Sequence, residues 1–389
     1  MKVAVVHDYF TQLGGAEEVA SQLFALFPDP DLFAAVALPR CMPAGLKDVP
    51  VATSWMQNLP YLDRLYREYF LLYPLGIESI DLTPYDVVIS SSSGYGKGVR
   101  ARRDAVHICY CHTPMRWAWS FEQYSARESM NVLKRQVLSM LVGALRKWDV
   151  SASREPDHFV ANSQTVAARI LRAYGRHAEV IHPPINIRRF RPSSGHDDYY
   201  LVLARLVSYK QIDLAIEACN RMGRNLLIIG DGPDRKRLQQ MSGPTITFAG
   251  RLGDREVERY AARCRALIFP GEEDFGMVPL EVAAAGRPTI AYRAGGATET
   301  IIDGSTGLFF DAADSGSLVD AIERFEQSEW SSEWLRRHAE GFSIEVFQQR
   351  FKTFLHRVGV HGIEPLVWPS TRRPYPAREP WAMHEDIAV

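Results

Sequence analysis

Ala266-Leu-Ile-Phe-Pro-Gly-Glu-Glu-Asp-Phe-Gly-Met-Val-Pro-Leu-Glu281 decides the reading of the fold. Its first four residues are apolar and stop at a proline, as in a strand buried on both faces of a parallel sheet. A polar loop follows, and from Gly276 the chain opens a helix. The amides of Gly276, Met277 and Val278 then lie at a helix N-terminus, where free N–H donors and partial positive charge suit hydroxyls or phosphate. Glu273 and Glu281 are separated by seven residues, and Glu281 lies inside the helix, where its carboxylate can accept bonds from a vicinal diol. A merely capped, solvated helix start is the plain alternative.

Working outward, the same strand-then-helix pattern recurs along the chain. Apolar runs occur at 3–6, 86–89, 106–109 and 158–160, then at 200–203, 226–229, 246–248, 266–269 and 288–291. The segments between them are long enough for crossover helices. The pattern breaks once, at His182-Pro-Pro-Ile-Asn186 through Ser193-Ser-Gly195, where adjacent prolines stop a strand. The expectation is an α/β protein of two Rossmann-like domains with parallel sheets facing an interdomain cleft. Residues 1–185 form the first domain and 196–345 the second. A C-terminal helix over 346–362 returns to the first domain, and 363–389 is a Pro-rich tail in which Trp368 and Trp381 are candidates for docking.

Ligands of open parallel sheets bind beyond the carboxyl ends of the strands. Those positions carry His7-Asp8, Ser90 to Ser93, His112 and Asn162 in the first half. In the second they carry Arg205, Gly230-Asp-Gly232, Arg251, Glu272-Glu273 and Arg293. Two polar rims, one per domain, point to a shared cleft. Arg205 and Lys210 follow an uncharged strand and suit a leaving group that gains negative charge. Gly14-Gly15 forms a tight turn that opens a helix.

Composition excludes several classes. The formal net charge of −1 gives no global field for nucleic acid. Five cysteines, an odd number lying mostly in or beside apolar runs, read as reduced thiols of a cytosolic protein. Cys109-Tyr-Cys111 has the wrong spacing for a zinc knuckle. The N-terminus reads as a strand and not a signal peptide, and no run is long enough to span a membrane.

Taken together, these motifs resemble glycosyltransferase family 4, retaining enzymes of the GT-B fold. Glu273 to Glu281 resembles its E-x7-E signature. His7-Asp-Tyr with Gly14-Gly-Ala-Glu17 resembles its first loop, Cys111-His-Thr-Pro-Met-Arg116 its central His segment, and Ala204-Arg-Leu-Val-Ser-Tyr-Lys210 its phosphate-binding pair. Gly286-Arg-Pro and Gly295-Gly-Ala-Thr-Glu299 also fit. The resemblance implies that Glu281 holds the donor ribose and that Glu273 holds sugar hydroxyls together with the Phe275 to Val278 loop. Arg205 and Lys210 neutralise the diphosphate, Arg251-Leu252 adjoins the base, Gly14 and Gly15 face the donor, and His112 contacts the transferred sugar. It implies no metal and no cofactor beyond the nucleotide sugar itself. The wording is nearest to bacterial mannosyltransferases of exopolysaccharide and O-antigen assembly. That implies GDP-mannose as donor, a polyprenyl-diphosphate-linked glycan as acceptor, and a cytoplasmic protein that touches the inner face of the cell membrane peripherally.

Three further features of the sequence bear on function. Asp29-Pro-Asp31 has the form of a metal-binding D-x-D but falls on the wrong edge of the sheet. Leu59 to Pro74 interleaves Tyr61, Tyr66, Tyr69, Phe70 and Tyr73 with Arg64 and Arg67, and reads either as a membrane-surface element or as a helix packed in the first domain. Arg100, Arg102 and Arg103 face phosphates or form a solvated turn. Two rival functions fare worse. A dinucleotide oxidoreductase needs G-x-G-x-x-G after the first strand, where this chain has Thr-Gln-Leu-Gly-Gly-Ala. A dead sugar-binding subunit would show a damaged cleft, yet both glutamates, Arg205, Lys210 and His112 are present.

Overall fold

The computed structural model describes residues 1–119 and 132–362. The Pro-rich segment with Trp368 and Trp381 lies outside the described residues.

The first domain is a seven-stranded sheet: β1 (Val3–His7), β2 (Asp31–Ala34), β3 (Val51–Thr53), β4 (Val87–Ser92), β5 (Val106–Cys111), β6 (His158–Ala161) and β7 (Ala178–Val180). The order is β3-β2-β1-β4-β5-β6-β7, and every pairing is parallel. Val5 stands beside Leu32 on one side and Ile89 on the other, so β1 is central and buried on both faces. This is why it reads as a continuous apolar run.

The second domain holds β8 (Tyr200–Leu203), β9 (Leu226–Ile229), β10 (Ile246–Gly250), β11 (Leu267–Phe269), β12 (Thr289–Tyr292) and β13 (Gly307–Phe310). Its order is β10-β9-β8-β11-β12-β13, again wholly parallel. In each sheet the order reverses beside the first strand, at β1/β4 and at β8/β11, and the crevice at such a switch point takes ligands.

The chain passes between domains twice. Strand β7 ends at Val180 and β8 begins at Tyr200. The return follows the helix Ser332–Glu340, and the two passages pair where Ile185 bridges Ser343. Ser343 caps the last helix, Ile344–Arg357, by accepting from the Val346 amide. That helix buries Phe347, Phe351 and Phe354 against Val3, Val5 and Tyr110 of the first sheet. Each such ring contributes roughly 1.5–3 kcal/mol, so the last helix is part of the first domain's core although it follows the second domain in sequence.

Candidate active site

The first domain supplies a buried polar cluster at the carboxyl ends of β1, β4 and β5. His7 closes β1, Ser91 lies in β4 and His112 follows β5. The Ser91 hydroxyl lies 3.0 Å from His7 Nδ1 and 2.8 Å from His112 Nε2, and the two rings meet edge-on at 6.4 Å. Burial, and then the neighbouring His7, hold the His112 pKa down to about 3, so this imidazole is neutral at physiological pH. Asp8 has a different task. It accepts the amides of Ser93, Tyr95 and Gly96 and so shapes the loop after β4. Asn162 anchors the backbone at His112 by donating to its carbonyl at 2.9 Å.

The second domain places its charges on the loops after β8 and β11. Lys210 and Glu273 form a direct, largely buried ion pair. One of the three ammonium hydrogens serves Glu273, which leaves two for other acceptors. Arg205 reaches across the cleft, and its Nη1 donates to Gln12 Oε1 at 3.3 Å. Gly276 caps the next helix, Met277–Ala284, with φ of 87°, a left-handed backbone that favours glycine. Phe275 is buried and stacks on His182 at 5.2 Å, anchoring the loop from behind.

Glu281 points from that helix and is half-buried. Among the described residues its carboxylate accepts no hydrogen bond. Burial raises its pKa, while Arg189 pulls the other way. Arg251 is exposed after β10, and Leu252 is half-buried against the second domain's core. Among the described residues neither side chain hydrogen-bonds another site residue.

Gly14 and Gly15 open the helix Gly15–Phe24. The backbone of Gly15 approaches the Met277 side chain so closely that a Cβ at 15 would lie 2.7 Å from its sulfur. Gly15 and Met277 are the first residues of their helices. Two helix N-termini, one from each domain, thus meet across the cleft, and each carries partial positive charge toward it.

Several further residues join the two domains. Arg169 binds Asp274, and also Glu272 at 2.8 Å. Arg116 donates to the Glu272 carbonyl at 3.2 Å and stacks 4.5 Å over Tyr209. Ser163 donates to the Asp274 carbonyl. Glu299 accepts the amides of Gln164 and Thr165 and lies 3.1 Å from His182 Nε2. Although burial opposes it, this set of donors lowers the Glu299 pKa. Arg116 and Glu299 lay within motifs already noted. Arg169 sits in an ordinary amphipathic helix, where no local signal marks it.

Other candidates lie elsewhere. Arg100 binds Glu78, and Arg102 binds Asp86 and Asp104 at the amino ends of β4 and β5, away from the cleft. Asp31 begins β2 and accepts from Tyr85 at 2.8 Å. Leu59 to Pro74 is a set of short turns and helices, not one helix. Tyr66, Tyr69 and Phe70 pack on the first domain's core, and Tyr73 is buried in it. Tyr61 and Leu75 are 73% and 59% exposed, with Leu65 and Leu71 also at the surface. No helix among the described residues is long and apolar enough to cross a membrane.

Comparison with known proteins agrees with this architecture. Residues 14–189 match the model for Glycosyltransferase Family 4, and residues 185–341 match that for Glycosyl transferases group 1. A GDP-mannose-dependent alpha-mannosyltransferase of Corynebacterium glutamicum is 32% identical over 175 residues, covering 43% of this chain and 40% of that protein. The O-antigen chain mannosyltransferase C of Escherichia coli is 28% identical over 188 residues, 45% of this chain and 50% of that one. These matches thus span about half the relatives' length or less. The structure of Anabaena HepE in complex with UDP superposes with a TM-score of 0.68 at 17% identity, covering 92% of this chain and 100% of that one. Sheet order and the structural likeness give the chain the GT-B fold, and its two halves match two glycosyltransferase family models.

Proposed function

We propose that this protein is a retaining mannosyltransferase that moves an α-mannosyl group from GDP-mannose to a polyprenyl-diphosphate-linked oligosaccharide during polysaccharide assembly. One observation carries the glycosyl-transfer reading: two helix N-termini, one from each domain, meet where Gly15 approaches Met277, four residues after Glu273, whose carboxylate pairs with Lys210. That arrangement suits a sugar diphosphate. The cations and amides stabilise the charge that grows on the diphosphate as the glycosidic bond breaks, so no bound metal is needed. Glu281 accepts ribose hydroxyls, and Glu273 accepts sugar hydroxyls while holding Lys210 in place. His112 contacts the sugar near its reacting carbon. The acceptor hydroxyl attacks the face from which the diphosphate departs, and its proton passes to a departing phosphate oxygen.

The donor and acceptor rest on the mannosyltransferases among the relatives and on the motif wording, since fold does not set substrate. The exposed Tyr61, Leu65, Leu71 and Leu75 offer an apolar rim through which the first domain meets a lipid-borne acceptor at the cytoplasmic membrane face. The test is a panel of nucleotide sugars. GDP-mannose should exceed GDP-fucose, UDP-glucose and UDP-GlcNAc by orders of magnitude in kcat/KM, because a misplaced hydroxyl leaves buried polar groups unpaired. Preference for a UDP-sugar overturns the donor; turnover of none overturns the glycosyltransferase reading.

A further inference from the structure

Behind His112 runs a buried chain of polar groups that the proposed reaction does not itself use. Glu17, in the first turn of the helix Gly15–Phe24, is buried, and its Oε1 lies 3.9 Å from His7 Nε2. Its Oε2 is buried with no hydrogen-bond partner. A carboxylate held out of water without full pairing is unfavourable, so its retention here calls for a task. From Glu17 the chain continues through the His7 ring to Ser91 and on to His112 Nε2. His112 Nδ1 makes no hydrogen bond among the described residues, and this nitrogen is left for a ligand.

The proton inventory of the chain has few solutions. Ser91 has one O–H to give, while each neutral imidazole has one donor and one acceptor nitrogen. The Glu17 carboxylate favours an N–H on the His7 nitrogen facing it, which makes His7 Nδ1 an acceptor. Ser91 then donates to His7 and accepts from His112 Nε2–H. We infer that Glu17, acting through His7, and Ser91, acting directly, are positioning residues that fix His112 in the tautomer protonated on Nε2, presenting Nδ1 as an acceptor for a hydroxyl of the transferred sugar. This rests on the reading of His112 as a sugar contact. The depressed pKa of His112 is consistent, because an imidazolium could not accept at Nδ1.

Nitrogen-15 spectra of histidine-labelled protein at pH 8, without substrate, test the inference directly. His112 should show a protonated Nε2 and an unprotonated Nδ1. In Glu17→Leu, which removes the orphaned oxygen along with the charge, the two nitrogens should move toward an averaged signal. The kcat/KM should fall about tenfold to a hundredfold, as is common when a supporting partner is lost. Ser91→Ala should cost a similar factor, and Glu17→Leu added to it should cost nothing more, whereas independent structural roles would add. A protonated His112 Nδ1 in the wild type, or additive losses in the double variant, overturns the relay. An intact spectrum with no transfer from any nucleotide sugar overturns the glycosyltransferase reading instead.

Discussion

Gly15 and Met277 meet across the cleft with no room for a side chain between them, since a Cβ on Gly15 would stand 2.7 Å from the Met277 sulfur. The contact sets the separation of the two helix N-termini that would share one diphosphate. Thioethers are adaptable, so Gly15→Ala should be tolerated with a small change. Gly15→Val should push Met277 away and raise the donor KM several-fold. Met277→Ala in the Gly15→Val background should recover part of the loss. Steady-state kinetics check this, and no recovery in the double variant would show that Met277 is not what Gly15 accommodates.

Lys210→Ala and Glu281→Ala should each lower kcat/KM by about a hundredfold or more, since one preorganised charge contact is worth roughly 3 kcal/mol in the transition state. Glu273→Ala should also weaken the donor site, because it frees Lys210 from its partner. Circular dichroism separates these effects from misfolding. If the protein's own cations serve the diphosphate, as proposed, activity should survive excess EDTA. A strict requirement for Mg²⁺ or Mn²⁺, restored by adding the ion, would contradict this.

Acid sensitivity follows from the histidines. Burial lowers His112 to about 3 and His107 to about 4, both below the usual value near 6.5. The unfolded chain therefore takes up these protons first. Stability should be fully present above about pH 6.5 and should fall as pH drops toward 4, by up to about 1.4 kcal/mol per pH unit for each ring. Urea denaturation of wild type and His107→Gln at pH 7 and pH 4.5 checks the sign. The variant's loss between the two pH values should be smaller.

Surface exposure relocates the membrane prediction. Tyr66, Tyr69 and Phe70 face the core, so replacing them would test folding. Tyr61, Leu65, Leu71 and Leu75 are the exposed set. Pelleting with anionic liposomes should weaken when Tyr61 and Leu75 become Ser. Unchanged pelleting would rule out this rim as the contact.

The strands central to each sheet were plain in the sequence because burial on both faces makes them continuous apolar runs, as in Val3–Val6 and Leu226–Ile229. Strand β3 is three residues at a sheet edge, partly exposed, and β13 opens on Gly307, so neither stood out. Within the candidate site, Lys210, Glu273 and Glu281 stood out because they lie in two short motifs, 204–210 and 273–281, that each connect a strand to a helix. The bonds from Arg169 to Asp274 and from Glu299 to the helix Gln164–Tyr174 did not. They join residues more than a hundred positions apart and depend on how two separate sheets face each other, which no local spacing encodes. The inward turn of Tyr66 and Tyr69 was hidden for a similar reason, since rings interleaved with arginine do not reveal which side packs.

The central claim is transfer from a nucleotide sugar with the anomeric configuration kept. Its most direct measurement is the one-bond carbon–hydrogen coupling at the new anomeric centre of the product formed from GDP-mannose. The account predicts the larger coupling of an α-mannoside, and the smaller coupling of a β-mannoside would contradict it.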